Sequence, residues 1–220
     1  MNRRTMLLAG GLGVVGLAGC TPGALWHLLK GNGKQPADYP LDVKDNRHEV
    51  RVLVLATSGP TVAQSFEFAG LDRDLASKLS RKLADESKEA KHPIKPVDQA
   101  AFDKFKASTP GWKVSHPSAI ARQLNADYVI DVQVASFRVY DPETGRNMYQ
   151  GVARLEVTVY AAGVEESKYQ YSHECKMPDQ PAYTSDVSAY RAKFLDQIVL
   201  ELAARHTEHL SDPRVPPLRP

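Results

Sequence analysis

The stretch "IARQLNADYVIDVQV", residues 120–134, changes its periodicity halfway along. Ile120, Ala121 and Leu124 fall at helical spacing, and Pro117 just upstream suits a first helical turn, where the N–H that proline lacks has no intrahelical partner. Asn125 is a residue that adopts the left-handed conformation which closes helices. Beyond it Ile130, Val132 and Val134 alternate with Asp131 and Gln133, which predicts a strand with one solvent-facing side. A short helix that delivers the chain directly into a long strand is the junction that decides the fold class.

Working upstream, Val50-Arg51-Val52-Leu53-Val54-Leu55-Ala56 is a β-branched apolar run suited to a strand covered on both faces, and Ser58-Gly59-Pro60 ends it. Leu71, Leu75, Leu79 and Leu83 recur every four residues among charged neighbours, which predicts an amphipathic helix. Pro93 and Pro96 bracket a short strand, Ile94 to Val97, and Asp98 is placed to cap a helix through Phe102 and Phe105. Downstream, Pro142-Glu143-Thr144-Gly145 turns the chain into a strand with Ala153, Leu155, Val157 and Val159 on one face. Arg154, Glu156 and Thr158 take the other. Lys168 to Lys176 follows as a third antiparallel strand, placing Tyr169, Tyr171, His173 and Cys175 on a single face. A last helix, from about Asp186 to Leu210, carries the stripe Phe194, Leu195, Ile198, Val199 and Leu202. The order β-α-β-α-α-β-β-β-α, an early crossover followed by an antiparallel meander, predicts an α+β fold: one mixed sheet with helices packed on it.

The amino-terminal residues carry a different message. Arg3 and Arg4 precede an uncharged run whose apolar part, Met6 to Ala18, has the length of a secretory h-region and falls short of the ~20 residues that span a bilayer. It ends in Leu17-Ala18-Gly19-Cys20, which resembles the lipobox of bacterial lipoproteins. That resemblance implies a thioether-linked diacylglycerol on Cys20, cleavage before it, and acylation, for instance by palmitate, of the new amino group. Small residues at 18 and 19 admit a peptidase, and each buried methylene contributes about 0.8 kcal/mol, so two or three chains anchor stably where one is marginal. Asn2-Arg3-Arg4-Thr5-Met6 also resembles a twin-arginine export signal, without the usual Ser or Thr before the arginines, and ordinary Sec export is the preferred reading. Thr21, rather than aspartate, follows the cysteine, which favours the outer over the inner membrane. The expected organisation is a signal peptide (1–19), a lipidated tether (20–47), an α/β domain (48–210) and a proline-rich tail (211–220).

Losing Arg3 and Arg4 leaves 26 basic residues against 26 acidic ones. A chain so balanced lacks the basic excess that phosphate backbones demand, so nucleic acid is not an expected partner. With Cys20 acylated, Cys175 has no partner within the chain and reads as a buried thiol.

Catalytic motifs are sparse. Ser58 lies in Ala56-Thr57-Ser58-Gly59-Pro60, which is not a G-x-S-x-G elbow, and no H-E-x-x-H or paired C-x-x-C occurs. His173 and Cys175, two apart on one strand face, place two soft metal ligands together, but zinc needs two more, so a core histidine beside a thiol is preferred. His206 and His209, one turn apart at the end of the last helix, read as dipole partners rather than as metal ligands. Asp141-x-Glu143-x-Gly145-x-Asn147 has calcium-loop spacing without the glycine and the bidentate glutamate, and reads as a hairpin turn. No metal or other cofactor is expected. The loop from Ser58 to Gly70 leaves the carboxyl end of the first strand, where ligands bind in α/β sheets; Gln64, Phe66 and Phe68 are its candidate partner-binding residues.

The segments "VRVLVLA" (50–56), "LDRDLASKLSRKL" (71–83) and "IARQLNADYVIDVQV" (120–134) together resemble the α/β core shared by several envelope proteins. These are activators of penicillin-binding proteins, the curli-secretion channel subunit and the amino-terminal domain of the Tol-system translocation protein. The resemblance spans roughly residues 48–205 and implies a protein-binding envelope module; it transfers no functional residue, because the matched segments are structural. The expected function is therefore that of a non-enzymatic lipoprotein that binds another envelope protein, its oligomeric state open. The alternative is an envelope hydrolase or small-ligand-binding enzyme that uses the Ser58–Gly70 loop.

Overall fold

The computed structural model of the chain describes residues 34–41, 49–63, 68–88, 90, 93–144, 148–183, 186–207 and 209–210. The signal peptide, Cys20, Gln64, Phe66 and the tail lie outside the described residues. In chain order the elements are β1 (Lys34–Gln35), β2 (Val50–Ser58), α1 (Leu71–Glu86), β3 (Ile94–Pro96) and α2 (Gln99–Ser108). Then come α3 (Pro117–Gln123), β4 (Tyr128–Tyr140), β5 (Tyr149–Ala161), β6 (Ser167–Ala182), α4 (Val187–His206) and β7 (His209–Leu210). One-turn helical segments at Pro60–Ala63 and Trp112–Val114 complete the list.

Five strands form one mixed sheet in the order β3-β2-β4-β5-β6. β3, β2 and β4 are mutually parallel, and β5 and β6 continue antiparallel. The connections follow from this: the parallel neighbours are joined through helices, whereas hairpins join β4 to β5 and β5 to β6. The α+β sheet expected from the sequence is the one observed.

Two apolar layers hold the sheet. On one face α1 and α4 pack through Leu71, Leu75, Leu79 and Leu83 and through Phe194, Ile198 and Leu202 onto Val52, Val54, Ile130, Val132, Leu155 and Val157. On the other face α2 and α3 cover only the parallel half, with Phe102, Ile120 and Ala121 on Leu53, Leu55 and Val129. Asp98 caps α2 as expected, accepting from the Ala100 N–H at 3.2 Å, and at the start of α4 Asp186 also acts as a cap, accepting from the Ala189 N–H at 2.8 Å. Asn125 closes α3 at φ 52°.

Three local expectations change. α4 ends at His206, not Leu210: Thr207 is extended and donates its hydroxyl to the Ala203 carbonyl at 2.9 Å, and His209–Leu210 pair with Lys34–Gln35 as a two-stranded ribbon. Residues 34–41, read from sequence as part of the tether, lie against the domain: Leu41 is buried in the core, and Tyr39 stacks on Tyr171 at 4.3 Å and 5°. Finally, β4 is one-sided only beyond its first turns. Tyr128, Val129 and Ile130 are all buried, and Asp131 is half-covered, because α2 and α3 lie over this end.

Candidate functional site

Because α2 and α3 reach over only part of the sheet, a cleft of about 670 Å³ opens between them, the carboxyl half of β2 and the first turn of α1. β2 contributes Val54 through Ser58, α1 contributes Asp72, Arg73 and Ala76, and β4 contributes Asp131. The opposite wall comes from Gln99, Phe102, Lys106, Trp112, Lys113, Ser115, Pro117 and Ile120. The position, beyond the carboxyl end of a parallel strand, is where open α/β sheets bind ligands.

The backbone places each group. Gly70, left-handed at φ 81°, turns the chain into α1 and brings Asp72 to the end of β2, where the Ser58 hydroxyl donates to its carboxylate. Gly111, also left-handed at φ 83°, starts the turn that carries Trp112. Trp112 meets Phe102 edge to face at 5.5 Å, with Lys106 over the Phe102 ring and Lys113 over the Trp112 ring. Lys106 also pairs with Asp103 at 2.5 Å. Asp131 lies between Leu55 of β2 and Thr158 of β5. Burial pushes its carboxyl above the ordinary carboxylate range, and nearby His116 pulls it back.

The Ser58 hydroxyl donates directly to the Asp72 carboxylate, and the described residues that line the cleft include no histidine. The cleft joins an apolar wall, a carboxylate on the floor and three cations at the rim.

The sequence-predicted residues are dispersed. Ser58 lines the cleft, whereas Phe68 packs on the opposite core, edge-on to Phe137 at 5.0 Å with Arg191 over its ring. His173 and Cys175 do share a buried face, and Glu201 of α4 joins them: its carboxylate stands 2.9 Å from His173 Nε2 in a poorly aligned pair and accepts from Cys175 Sγ at 3.5 Å and from Gln197 at 2.6 Å. Burial and the Glu201 charge push the thiol far above its ordinary value, so Cys175 is an unreactive core group. Among the described residues no three His, Cys, Asp or Glu side chains are placed to hold a metal ion. His206 is not on a shared helical face with His209, because the helix has ended. It is buried beside the stacked Tyr39 and Tyr171, with Nδ1 facing the Tyr39 carbonyl at 3.1 Å and Nε2 the Tyr171 hydroxyl at 3.0 Å. Between β4 and β5 the Met148 N–H donates to Thr144 Oγ1 and the Asp141 N–H to the Met148 carbonyl, while Gly145 and Asn147 of the proposed turn lie outside the described residues.

Sequence reasoning missed Asp72, Arg73, Trp112 and Asp131 as a group. Asp131 had a readable signal, an acid inside an otherwise apolar strand start, but alternation assigns it to solvent. Only the packing of α2 and α3 turns that side into a cleft.

Compared by sequence, the chain matches no protein-family model and no curated protein. Compared by structure, it is similar to PelC of Paraburkholderia phytofirmans, solved as a dodecamer, at 9% identity and a TM-score of 0.44 over 80% of this chain and 95% of that one. It is also similar to the lipoprotein GNA1162 of Neisseria meningitidis, at 13% identity and a TM-score of 0.40 over 70% and 98%. A third is uncharacterised lipoprotein B of Nitrosomonas europaea, at 14% identity and a TM-score of 0.32 over 77% and 99%.

Proposed function

We propose that the protein is a membrane-anchored, non-enzymatic lipoprotein of the bacterial envelope, facing the periplasm, whose α+β domain binds another envelope protein. The observation that carries this reading is the ordered signal Arg3-Arg4, apolar run, Leu17-Ala18-Gly19-Cys20. A cysteine placed there supplies the thiolate that takes the lipid, and the acyl chains hold the domain at a bilayer surface. Thr21 after the cysteine directs the anchor to the outer membrane in this reading. Ser58, donating to Asp72 with no histidine among the described residues that line the cleft, supports this reading. Radioactive palmitate should label the wild-type chain in cells and leave Cys20→Ala unlabelled. Equal labelling of both would remove the anchor from the proposal. In-cell crosslinking followed by purification should recover one envelope protein in stoichiometric yield; a chain recovered only as itself would count against a hetero-partner.

A second reading is favoured by the cleft: a domain that holds a small molecule at the carboxyl end of β2. Its volume lies within the roughly 300–1,000 Å³ of ligand pockets, and both charged and apolar side chains line it.

A further inference from the structure

We infer that the cleft binds a small amphoteric molecule, an apolar amino acid or short peptide, with its ammonium on Asp131 and its carboxylate between Arg73 and Lys113. This rests on the small-ligand reading of the cleft and names the class of ligand.

The floor sets one end of the ligand. Asp131 sits inside the sheet, half-covered, and among the described residues no hydrogen bond or ion pair reaches its carboxylate; the charge that acts on it is His116. Asp72, the other acid of the cleft, already accepts from Ser58. A half-covered carboxylate that lines the cleft and has no donor among the described residues is placed to accept one brought from outside, and a cation completes it best. The rim sets the other end. Arg73 and Lys113 are exposed and supply the positive charge, whereas Lys106, over the Phe102 ring, has its charge offset by Asp103. An anionic group is thereby attracted to the mouth. Between the two ends lie Leu55, Ile120, Phe102 and Trp112, an apolar stretch flanked by the polar side chains of Gln99 and Ser115. A plain anion leaves Asp131 repelled, and a neutral sugar leaves the rim unused. A molecule with a donor head, an apolar body and an anionic tail uses all three.

The test is calorimetric titration of the full-length chain in detergent micelles with four probes: the dipeptide Leu-Phe, its N-acetyl form, its C-terminal amide, and maltotriose. Leu-Phe should bind, and either cap should weaken it by about tenfold or more, the scale of one charge-assisted hydrogen bond. Asp131→Asn should erase the difference between Leu-Phe and its N-acetyl form, and Arg73→Gln with Lys113→Gln should erase the difference from the amide. Unchanged melting temperatures should show that the variants fold. Equal binding of Leu-Phe and the acetylated form overturns the proposal, as does an Asp131→Asn chain that keeps the preference. Maltotriose binding without Leu-Phe binding overturns the amphoteric class and leaves the small-ligand reading standing; silence of all four overturns the class and counts against the cleft as a small-ligand site.

Discussion

Single residues in this fold are fixed by close contact, and Gly151 shows it most directly. It lies near the start of β5, where a Cβ would come within 2.6–2.8 Å of the Phe194 ring of α4. Neighbouring buried positions of the same face carry side chains, such as Ala153 and Leu155, so this glycine answers to Phe194 rather than to backbone conformation. Gly151→Ala should cost about 1–3 kcal/mol by overpacking. For a chain of this size that is a fall of roughly 2–4 °C in Tm per kcal/mol. Combining it with Phe194→Leu should cost less than the two single changes together, since the second substitution makes room for the first. Thermal melts of the two singles and the double measure this; strict additivity would place Gly151 outside the Phe194 contact. The glycine was invisible to periodicity, because its neighbour comes from a helix more than forty residues away.

At the scale of elements, the helices that carry regular leucine or phenylalanine stripes were legible, and so was the alternation in β5. Leu71, Leu75, Leu79 and Leu83 are each at most 1% exposed, and Ala153, Leu155, Val157 and Val159 are equally enclosed. The strap from Lys34 to Leu41 was not legible, since its contacts have no local period. It is held by long-range pairs: the Tyr39 N–H donates to the Arg205 carbonyl at 2.8 Å, Arg205 pairs with Asp38 at 2.7 Å, and Tyr39 stacks on Tyr171. Pro40 accepts from the Tyr169 hydroxyl and from Lys168, which fixes the strap to the edge strand β6. Tyr39→Ala should therefore destabilise the whole domain by about 2 kcal/mol, through lost aromatic packing over a buried polar pair. A urea titration reads that loss. A variant as stable as wild type would mean that the strap rests on the domain without supporting it.

For the molecule as a whole, the strap makes stability depend on pH through one buried group. Burial beside the stacked Tyr39 and Tyr171 lowers the His206 pKa from 6.5 to about 4, with the Tyr39 carbonyl opposing it. The unfolded chain takes up a proton on this histidine near pH 6.5, and the folded chain resists until about pH 4. Above pH 6.5 neither state is protonated there and the group contributes no pH dependence. Between pH 6.5 and 4 the unfolded state binds more protons, so stability falls as pH falls, by roughly 3 kcal/mol in all. Denaturation midpoints measured across that window should fall for the wild type and flatten for His206→Gln. An equal slope in both would assign the acid sensitivity to other groups.

Sequence alone determined the order of the main elements, their inward faces and the α+β sheet, because each rests on local signals: caps, turn residues and apolar periods of 2 or 3.6. It also carried the lipid-anchor reading, a linear motif that needs no fold. Tertiary structure alone decided that the amino-terminal strap belongs to the domain, that the last helix stops at His206 to let a strand pair, and that Asp131 faces a cleft instead of open water. All three depend on which distant segment covers a surface, and coverage is a property of packing in three dimensions that no local period records.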